Sequence, residues 1–381
     1  MKKSLLVTFF YPPQVGGIEN SLYNFSHFLK DKEELTILVP PFKNCKEFDK
    51  QEPYKIVRKK FLNSKRWPKP RFIPLLWHTL KLVIIKKPDI IYAGQIHPLG
   101  AAAYFAKKLF GIPYIIFTYG MDVTLLHHAR DKSWLSKKVF AQAEKIITIS
   151  EFTKKEIMKF SVPEEKIYKL WPGVSQPEKI WNQDEARSEL NLNKDDKIIL
   201  TVARLMARKG HDKVISALKK VLETIPQAKY VIVGDGENKE NLVKLVKENN
   251  LEDKVIFAGK VSDEDLAKYY SACDILILAS RPIKDDVEGF GMVYVEANIY
   301  GKAVIGGRGG GTADAILDGK TGILVDPENE AEIADKIIEI LQNDELRNKL
   351  ALNGKLRAEN ELQWETLLSK FKQEVLDKID E

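Results

Sequence analysis

Short apolar runs bounded by turn-forming residues alternate with segments of helical periodicity along the whole chain. Residues 198–200 and 275–278 consist only of Ile and Leu, which is typical of parallel strands covered by helices on both faces. In chain order, strands are predicted at residues 4–10, 35–39, 89–93, 114–118, 145–149, 197–202, 230–233, 255–258, 274–278 and 303–305. This alternation predicts an α/β fold with parallel sheets.

The helical segments carry apolar residues at three- and four-residue steps. In the first half of the chain, helices are predicted to begin near Ile18, Arg71, Leu99 and Phe152. A last amphipathic helix is predicted within residues 361–381, where one apolar face is formed by Trp364, Leu367, Leu368, Phe371, Val375 and Ile379. Because such a face must be buried, this helix is expected to pack on one or both domains.

Turn formers at residues 171–175 (Trp-Pro-Gly-Val-Ser) follow the last strand of the first half. The chain of 381 residues is too long for one ordinary core. We therefore predict an N-terminal domain over residues 1–172, a C-terminal domain over residues 173–360 and the terminal helix over residues 361–381.

The formal net charge of +6 divides unevenly at this boundary. Residues 1–172 contain 30 Lys and Arg against 15 Asp and Glu, a net of +15, and the remaining residues carry a net of −9. A basic domain can face nucleic acid, an anionic membrane or an acidic substrate. The two domains are therefore expected to have different tasks.

Cysteine usage and hydropathy indicate the compartment. Cys45 and Cys273 are too few for a disulfide framework or a metal cluster, which favours a reducing environment. The apolar run at residues 4–10 is short and lacks the cleavage pattern of a signal peptide. No run approaches the roughly 18–20 apolar residues of a membrane span. We expect a cytoplasmic protein, with any membrane contact peripheral and on the inner face of the cell membrane.

The densest candidate chemistry lies at residues 288–296, Glu-Gly-Phe-Gly-Met-Val-Tyr-Val-Glu, between a buried strand and a helix. Glycines at a helix start let backbone amides approach a ligand closely, and the helix N-terminus attracts anions. The segment can therefore hold a diphosphate, while Glu288 and Glu296 accept hydrogen bonds from sugar hydroxyls. A plain helix start with surface glutamates would explain the same residues.

Two further segments follow predicted strands. Arg204 and Lys209 come after the strand at residues 197–202, where two cations can converge on one phosphate group. Gly16 and Gly17 lie between the first strand and the first helix and permit close backbone approach. Taken alone, each segment also fits solvated loop charge or an ordinary strand-to-helix turn.

In this order, the three segments resemble the retaining glycosyltransferases of family 4, which have the GT-B fold. The resemblance rests on the seven residues between Glu288 and Glu296 and the four between Arg204 and Lys209. It extends through Gly-Gly-Gly-Thr-Ala-Asp at residues 309–314 and Asp-Gly-Lys-Thr-Gly-Ile-Leu-Val-Asp-Pro at residues 318–327. The context Asp-Val-Glu-Gly at residues 286–289 is most similar to bacterial mannosyltransferases that act on phosphatidylinositol-type or related acceptors.

The resemblance implies two Rossmann-like domains that face each other across a cleft, with the C-terminal helix packing back toward the N-terminal domain. It implies that the C-terminal domain binds a nucleoside-diphosphate sugar and that the N-terminal domain receives the acceptor. Arg204 and Lys209 would neutralise the diphosphate, and Glu288 would contact the transferred sugar. Glu296 would contact the ribose.

The remaining donor contacts implied by the resemblance are backbone and loop positions, namely Gly16, Gly17, Lys260, Val261, Phe290, Gly291 and Met292. The amides of residues 290–292, together with Gly16 and Gly17, would approach the diphosphate. Lys260 and Val261 would lie beside the nucleotide base. Many family members have a histidine where this chain has Tyr119. Tyr119 and Asp122 are candidates for contact with the acceptor or the sugar.

The resemblance also implies transfer of a hexose with retention of configuration and with neither a metal nor another cofactor. Mannose from a GDP donor is the first expectation, and glucose or a related hexose from a UDP donor is the second. The acceptor is expected to be a glycan, a glycolipid or a lipid-linked molecule. A nucleotide-sugar epimerase of the same fold remains an alternative. A nucleic-acid-binding module would leave the paired acids and cations unexplained, so no nucleic-acid partner is expected.

Two charged segments have competing interpretations. Asp263-Glu264-Asp265 matches a metal-binding D-x-D pattern, but it follows Ser262 at a predicted helix start, which favours N-terminal capping. In residues 55–77, eight cations are interleaved with Phe61, Trp67, Phe72 and Trp77. That pattern fits peripheral contact with an anionic membrane, although single-stranded nucleic acid or a solvated basic loop also fits.

Overall fold

The computed structural model of the protein describes residues 1–60, 72–128 and 130–379. The chain forms two compact units, one made of Met1–Pro172 together with Trp364–Glu381 and the other of Gly173–Gln363. Each unit contains one parallel sheet with helices on its connections. The predicted α/β class and the two Rossmann-like units are therefore confirmed.

The sheet of the first unit has seven described strands. They are β1 (Lys2–Val7), β2 (Glu33–Val39), β3 (Lys55–Arg58), β4 (Ile90–Ala93), β5 (Tyr114–Thr118), β6 (Lys145–Thr148) and β7 (Ile167–Lys169). Their order in the sheet is β3-β2-β1-β4-β5-β6-β7, and every pairing is parallel. The strand β1 is central and pairs Leu5 with Thr36 on one side and Ile91 on the other.

Helices connect these strands and bury their apolar faces against the sheet. They are α1 (Gly17–Leu29), α2 (Cys45–Gln51), α3 (Phe72–Lys86), α4 (Ala101–Phe110), α5 (Met121–His127), α6 (Arg130–Gln142) and α7 (Glu151–Met158). Leu5, Ile91, Ala103, Ile116 and Val139 belong to one continuous core between strands and helices.

The second unit has a six-stranded sheet made of β8 (Lys197–Val202), β9 (Ala228–Val233), β10 (Val255–Gly259), β11 (Ile275–Leu278), β12 (Ala303–Gly307) and β13 (Ile323–Val325). The strand order is β10-β9-β8-β11-β12-β13, again parallel throughout. Its helices are α8 (Gln183–Glu189), α9 (His211–Thr224), α10 (Lys239–Glu248), α11 (Asp263–Ala272), α12 (Met292–Ile299), α13 (Thr312–Ala315), α14 (Glu330–Gln342) and α15 (Asp344–Asn360). The order reverses between β8 and β11, and ligands of open α/β sheets bind at such a point beyond the strand ends.

The C-terminal helix packs in the first unit. It runs through α16 (Trp364–Phe371), a wider turn (Lys372–Leu376) and α17 (Asp377–Ile379). The Phe371 side chain is fully buried, with its ring centre 6.1 Å from that of Phe25 in α1 and 5.4 Å from that of Tyr168 in β7. The predicted amphipathic helix and its return to the N-terminal domain are confirmed.

Only part of the basic run at residues 55–77 lies within the described residues. Phe61, Lys65, Arg66, Trp67, Lys69 and Arg71 lie outside the described residues. Arg58 is turned inward, because its guanidinium Nη2 is 2.7 Å from Asp49 Oδ1 and donates to the Pro12 carbonyl oxygen at 2.7 Å. Arg58 is therefore engaged within the first unit, and membrane contact by the rest of the run stays a prediction.

Ser262 caps α11, as the sequence indicates for the D-x-D pattern. Its Oγ accepts a hydrogen bond from the Asp265 backbone N–H at 3.1 Å, and the Asp265 carboxylate pairs with Lys268 at 3.1 Å. Among the described residues, no helix has both the length and the apolar character needed to cross a bilayer.

Candidate active site

The loop after β8 places the two predicted cations. Arg204 is exposed two residues beyond the strand, and Lys209 ends a single helical turn, Ala207–Lys209. Gly210 then takes a φ of +71°, and a Cβ there would lie 1.9 Å from the Ala279 carbonyl oxygen. Only glycine tolerates both the conformation and the contact. Gly210 therefore holds this loop against the end of β11.

Glu288 lies in the loop that follows β11 and faces these cations. Its Oε2 accepts hydrogen bonds from Lys209 Nζ at 2.6 Å and from Arg208 Nη1 at 3.0 Å. Its backbone carbonyl accepts a hydrogen bond from the Gly311 N–H at 2.8 Å. The glycine-rich segment at residues 309–311 therefore helps to fix the loop that carries Glu288. The structure thus brings Lys209 and Glu288 into direct contact.

Arg208 is the residue that sequence reasoning missed in this cluster. Its buried guanidinium contacts Glu288, lies 2.9 Å (Nε) from Asp286 Oδ1 and donates to Ser280 Oγ at 3.1 Å. The loop after β8 is thereby connected to two acids of the loop after β11. Its position next to Lys209 was the only signal in the sequence, because the partners lie about 70–80 residues further along.

Charge compensation keeps this buried cluster ionised. Burial by itself would raise the pKa of Glu288, but Lys209 and Arg208 outweigh it and lower that pKa to about 2. Burial lowers the pKa of Lys209, while the adjacent Glu288 carboxylate acts in the opposite direction. Arg204 has no ion-pair partner among the described residues, so it presents an uncompensated cation near the cluster.

Glu296 lies in the first turns of α12. Gly291 precedes this helix with a φ of +92°, and a Cβ there would lie 2.3 Å from the Tyr294 ring. The Tyr270 hydroxyl donates to Glu296 Oε2 at 2.6 Å, and burial raises the pKa of Glu296. Tyr270, which the sequence did not single out, orients the carboxylate predicted to meet the ribose.

The other predicted donor positions occupy the same edge of the sheet. The Phe290 side chain is buried, so only its backbone can meet a ligand, and Met292 begins α12. Lys260 is exposed directly after β10. Gly234 links these loops, because its N–H donates to the Gly259 carbonyl at 2.8 Å and a Cβ there would lie 2.0 Å from the Ala203 carbonyl oxygen.

In the first unit, Gly16 and Gly17 lie at the start of α1 and are exposed. The Glu19 carboxylate folds back over Gly16, with Oε2 only 2.3 Å from where a Cβ of Gly16 would stand. Glu19 is buried in the first turn of α1, where the helix dipole favours a negative charge. The sequence did not identify this acid, although a glutamate just after two glycines marks a helix start.

Tyr119 and Asp122 follow β5 and contact each other. Asp122 Oδ1 accepts a hydrogen bond from the Tyr119 N–H at 2.9 Å, and burial raises the pKa of Asp122 to about 6. The Tyr119 hydroxyl is buried and lacks a hydrogen-bond partner among the described residues. Burial, together with the nearby Asp122 and Glu19 carboxylates, raises the pKa of Tyr119.

Comparison with known families accounts for most of the chain. The family model described as Glycosyltransferase Family 4 matches residues 15–176, and the model described as Glycosyl transferases group 1 matches residues 182–357. The chain belongs to the family 4 glycosyltransferases. The enzyme class predicted from the sequence is thereby confirmed.

Similar glycosyltransferases have several substrates. The chain is 26% identical over 95% of its length to a GDP-mannose-dependent alpha-(1-6)-phosphatidylinositol monomannoside mannosyltransferase of Mycolicibacterium smegmatis, of which 95% is covered. It is 24% identical over 94% of its length to the sulfoquinovosyl transferase SQD2 of Arabidopsis thaliana, of which 70% is covered.

Solved structures share the fold of this glycosyltransferase. Anabaena HepE in complex with UDP has a TM-score of 0.83 at 19% identity, covering 99% of this chain and all of that one. Sucrose-phosphate synthase from Thermosynechococcus elongatus has a TM-score of 0.82 at 20% identity, with full coverage of both chains. The predicted GT-B fold is confirmed.

Proposed function

We propose that the protein transfers mannose from GDP-mannose to a lipid-linked or glycolipid acceptor, with retention of configuration and without a metal. The observation that carries the proposal is the cluster of Arg208, Lys209 and Glu288 beside the exposed Arg204 at the carboxyl end of β8. The mannosyltransferases of known donor to which the chain is similar along its length support the choice of sugar.

The chemistry follows from the charge of the leaving group. Departure of GDP places negative charge on the diphosphate, and cations or dipoles fixed beforehand stabilise that charge without reorganising. Arg204 and Lys209 supply the cations, and the amides that begin α12 supply the dipole. Glu288, kept ionised by Arg208 and Lys209, accepts hydrogen bonds from hydroxyls of the transferred sugar.

The two units have separate tasks in this proposal. The unit Gly173–Gln363 binds the donor, because it holds the cation cluster. Glu296 accepts a hydrogen bond from a ribose hydroxyl, and Lys260 and Val261 lie beside the nucleotide base. The basic first unit binds the acceptor. There Tyr119 and Asp122 are the polar groups that follow β5, and Gly16 and Gly17 begin α1.

A panel of GDP- and UDP-sugars tests the donor assignment. GDP-mannose is expected to raise the thermal midpoint most and to be slowly hydrolysed, and the anomeric configuration of the product is read by NMR. Activity is expected to survive EDTA. Preference for UDP-glucose would favour the second candidate, which the UDP and UDP-glucose complexes of Anabaena HepE support. Conversion of a sugar nucleotide to its epimer without any acceptor would overturn transfer altogether.

Arg204→Ala and Lys209→Ala test the phosphate contacts. Each variant is expected to lower kcat about 100-fold or more, because it removes a fixed positive group that stabilises the leaving diphosphate. The matched control is Lys213→Ala, since Lys213 lies four residues beyond Lys209 and pairs with Glu328 and Glu330. Near-normal rates in either site variant would contradict the assigned role.

A further inference from the structure

Helix α3 is apolar on its outward face as well as on its inward face. Leu75, Thr79 and Val83 are buried against the first unit. On the opposite side, Ile73, Trp77 and Ile84 recur at helical spacing and are 55–61% exposed, with Ile85 beside them at 60%. Soluble helices normally carry charged or polar residues on this side. Apolar outward residues in this number indicate a surface that another phase or molecule covers.

The end of α4 carries further exposed apolar side chains. Leu109 and Phe110 are 62% and 46% exposed at its last turn. The two helices pack on each other, and the ring centres of Phe72 in α3 and Phe105 in α4 are 5.7 Å apart. We call Ile73, Trp77, Ile84, Ile85, Leu109 and Phe110 the α3–α4 face.

The charge of this part of the chain indicates which phase covers the face. Residues 53–121 contain 13 lysines and arginines and a single acid, Asp89. Three of these cations, Arg58, Lys86 and Lys107, pair with acids outside this range, which leaves ten against one acid. Lys81 lies in α3 with its Nζ 5.1 Å from the centre of the Trp77 ring, and Lys108 of α4 is 5.9 Å from the Tyr104 ring. Long cationic side chains beside aromatic rings fit a boundary between headgroups and hydrocarbon.

The length of α3 excludes one mode of contact. Its 15 residues extend about 22 Å, less than the roughly 30 Å of a hydrocarbon core. It can therefore lie in the headgroup region with one face buried, but it cannot span the membrane.

We propose that the α3–α4 face docks on an anionic lipid surface, with Trp77 and Ile84 entering the acyl boundary and Lys81 and Lys108 facing the headgroups. The face includes Ile73 and Trp77 at the end of the basic run predicted from the sequence, and it extends beyond that run to Ile84, Ile85, Leu109 and Phe110. Only the role of this docking, which is to bring the enzyme to a lipid-linked acceptor, rests on the proposed function.

Vesicle sedimentation of the full chain tests the docking. Wild type is expected to bind vesicles containing phosphatidylglycerol and to bind pure phosphatidylcholine weakly. Trp77→Ser/Ile84→Ser is expected to weaken binding to the anionic vesicles at least tenfold, since each buried apolar side chain contributes roughly that factor. The matched control is Leu352→Ser/Leu356→Ser, which removes two apolar residues that are 58% and 46% exposed on α15 of the other unit. The control is expected to bind as wild type does.

Three results would overturn the proposal. One is unchanged vesicle binding by Trp77→Ser/Ile84→Ser with an unaltered thermal midpoint. Another is equal loss of binding in the control. The third is a wild type that is dimeric in sedimentation velocity while the α3 variant is monomeric, which would identify a second copy of the chain as the occupant of the face.

Hydrolysis of GDP-mannose without vesicles separates this question from the proposed function, because the α3 variant is expected to retain that hydrolysis fully. If wild type binds vesicles but does not hydrolyse GDP-mannose, the donor assignment is refuted and the docking proposal stands.

Discussion

Arg208 is not assigned a contact with the donor, but it holds in place a residue that is. It contacts Glu288, Asp286 and Ser280 from a buried position, so it compensates two acids and orients one of them. Removing one partner of a buried ion pair leaves the other charge uncompensated, which is more costly than removing an exposed charge. We therefore regard Arg208 as a positioning residue for Glu288, alongside Lys209.

Gly210→Ala is expected to destabilise the second unit by more than about 3 kcal/mol, because it adds a backbone clash to the cost of a positive φ. The Cβ would stand 1.9 Å from the Ala279 carbonyl oxygen. Gly319→Ala is the matched control, since Gly319 has a φ of +70° and no neighbouring atom within 4 Å of the added Cβ. It is expected to cost about 1 kcal/mol. Urea unfolding measures both, and equal losses would contradict the packing argument.

Asp122→Asn is expected to stabilise the protein at neutral pH. In the folded state burial raises the pKa of Asp122 to about 6 from an ordinary 3.8, so the folded state binds more protons than the unfolded state between these values. Stability from this group is present below about pH 4 and is lost as pH rises through 6. The variant should therefore be about 2–3 kcal/mol more stable than wild type at pH 7.5 and similar near pH 4.

Urea unfolding across this pH range measures the effect. The control is Asp253→Asn, which changes an exposed aspartate in a turn of the other unit. A variant at Asp122 that is less stable than wild type at pH 7.5 would show that the ionised carboxylate stabilises the fold.

At the scale of elements, two of the strands that sequence reasoning missed, β3 and β7, have a common cause. β3, β7 and β13 are edge strands of three or four residues. Central strands such as β11 are buried on both faces and read as continuous apolar runs. An edge strand has only one neighbour, so β3 and β7 retain Lys55, Arg58 and Lys169 and lack that signal.

The C-terminal helix is expected to stabilise only the unit on which it packs. Phe371→Ala removes a fully buried ring that contacts Phe25 and Tyr168, and such a change costs about 3–5 kcal/mol. Hydrogen exchange should rise in α1 and β7 and stay unchanged in β8 to β13. The control is Lys370→Ala at the neighbouring position of α16, whose side chain is 65% exposed. Equal exchange increases in both units would show that they unfold together.

At the scale of the whole molecule, the division of charge has a functional interpretation. The first unit is basic, whereas the acidic remainder of the chain contains the cations of the β8 loop within a local cluster. Exposed charges that attract a membrane are screened by salt, while buried pairs are screened much less. The two units should therefore respond differently to ionic strength.

Raising NaCl from about 50 to about 300 mM is expected to lower transfer to an acceptor in anionic vesicles several-fold, because the Debye length falls below about 10 Å. Hydrolysis of GDP-mannose in the same buffers is expected to change less than twofold. Both rates are followed by release of GDP, with neutral vesicles as the control. Parallel losses of both rates would place the salt effect on the donor site instead of on the membrane contact.

The sequence by itself determined the parallel α/β architecture, the amphipathic C-terminal helix and the loops that hold Arg204, Lys209, Glu288 and Glu296. These features depend on residues close together in the chain, through periodicity and the order of strand, loop and helix. Only the tertiary structure decided that Arg208 meets Glu288, 80 residues away, and that Tyr270 orients Glu296. It also decided that Arg58 is buried and that α3 exposes an apolar face. The physical reason is that such contacts form between separate strand ends and helix faces, and their partners are set by packing and not by neighbouring residues.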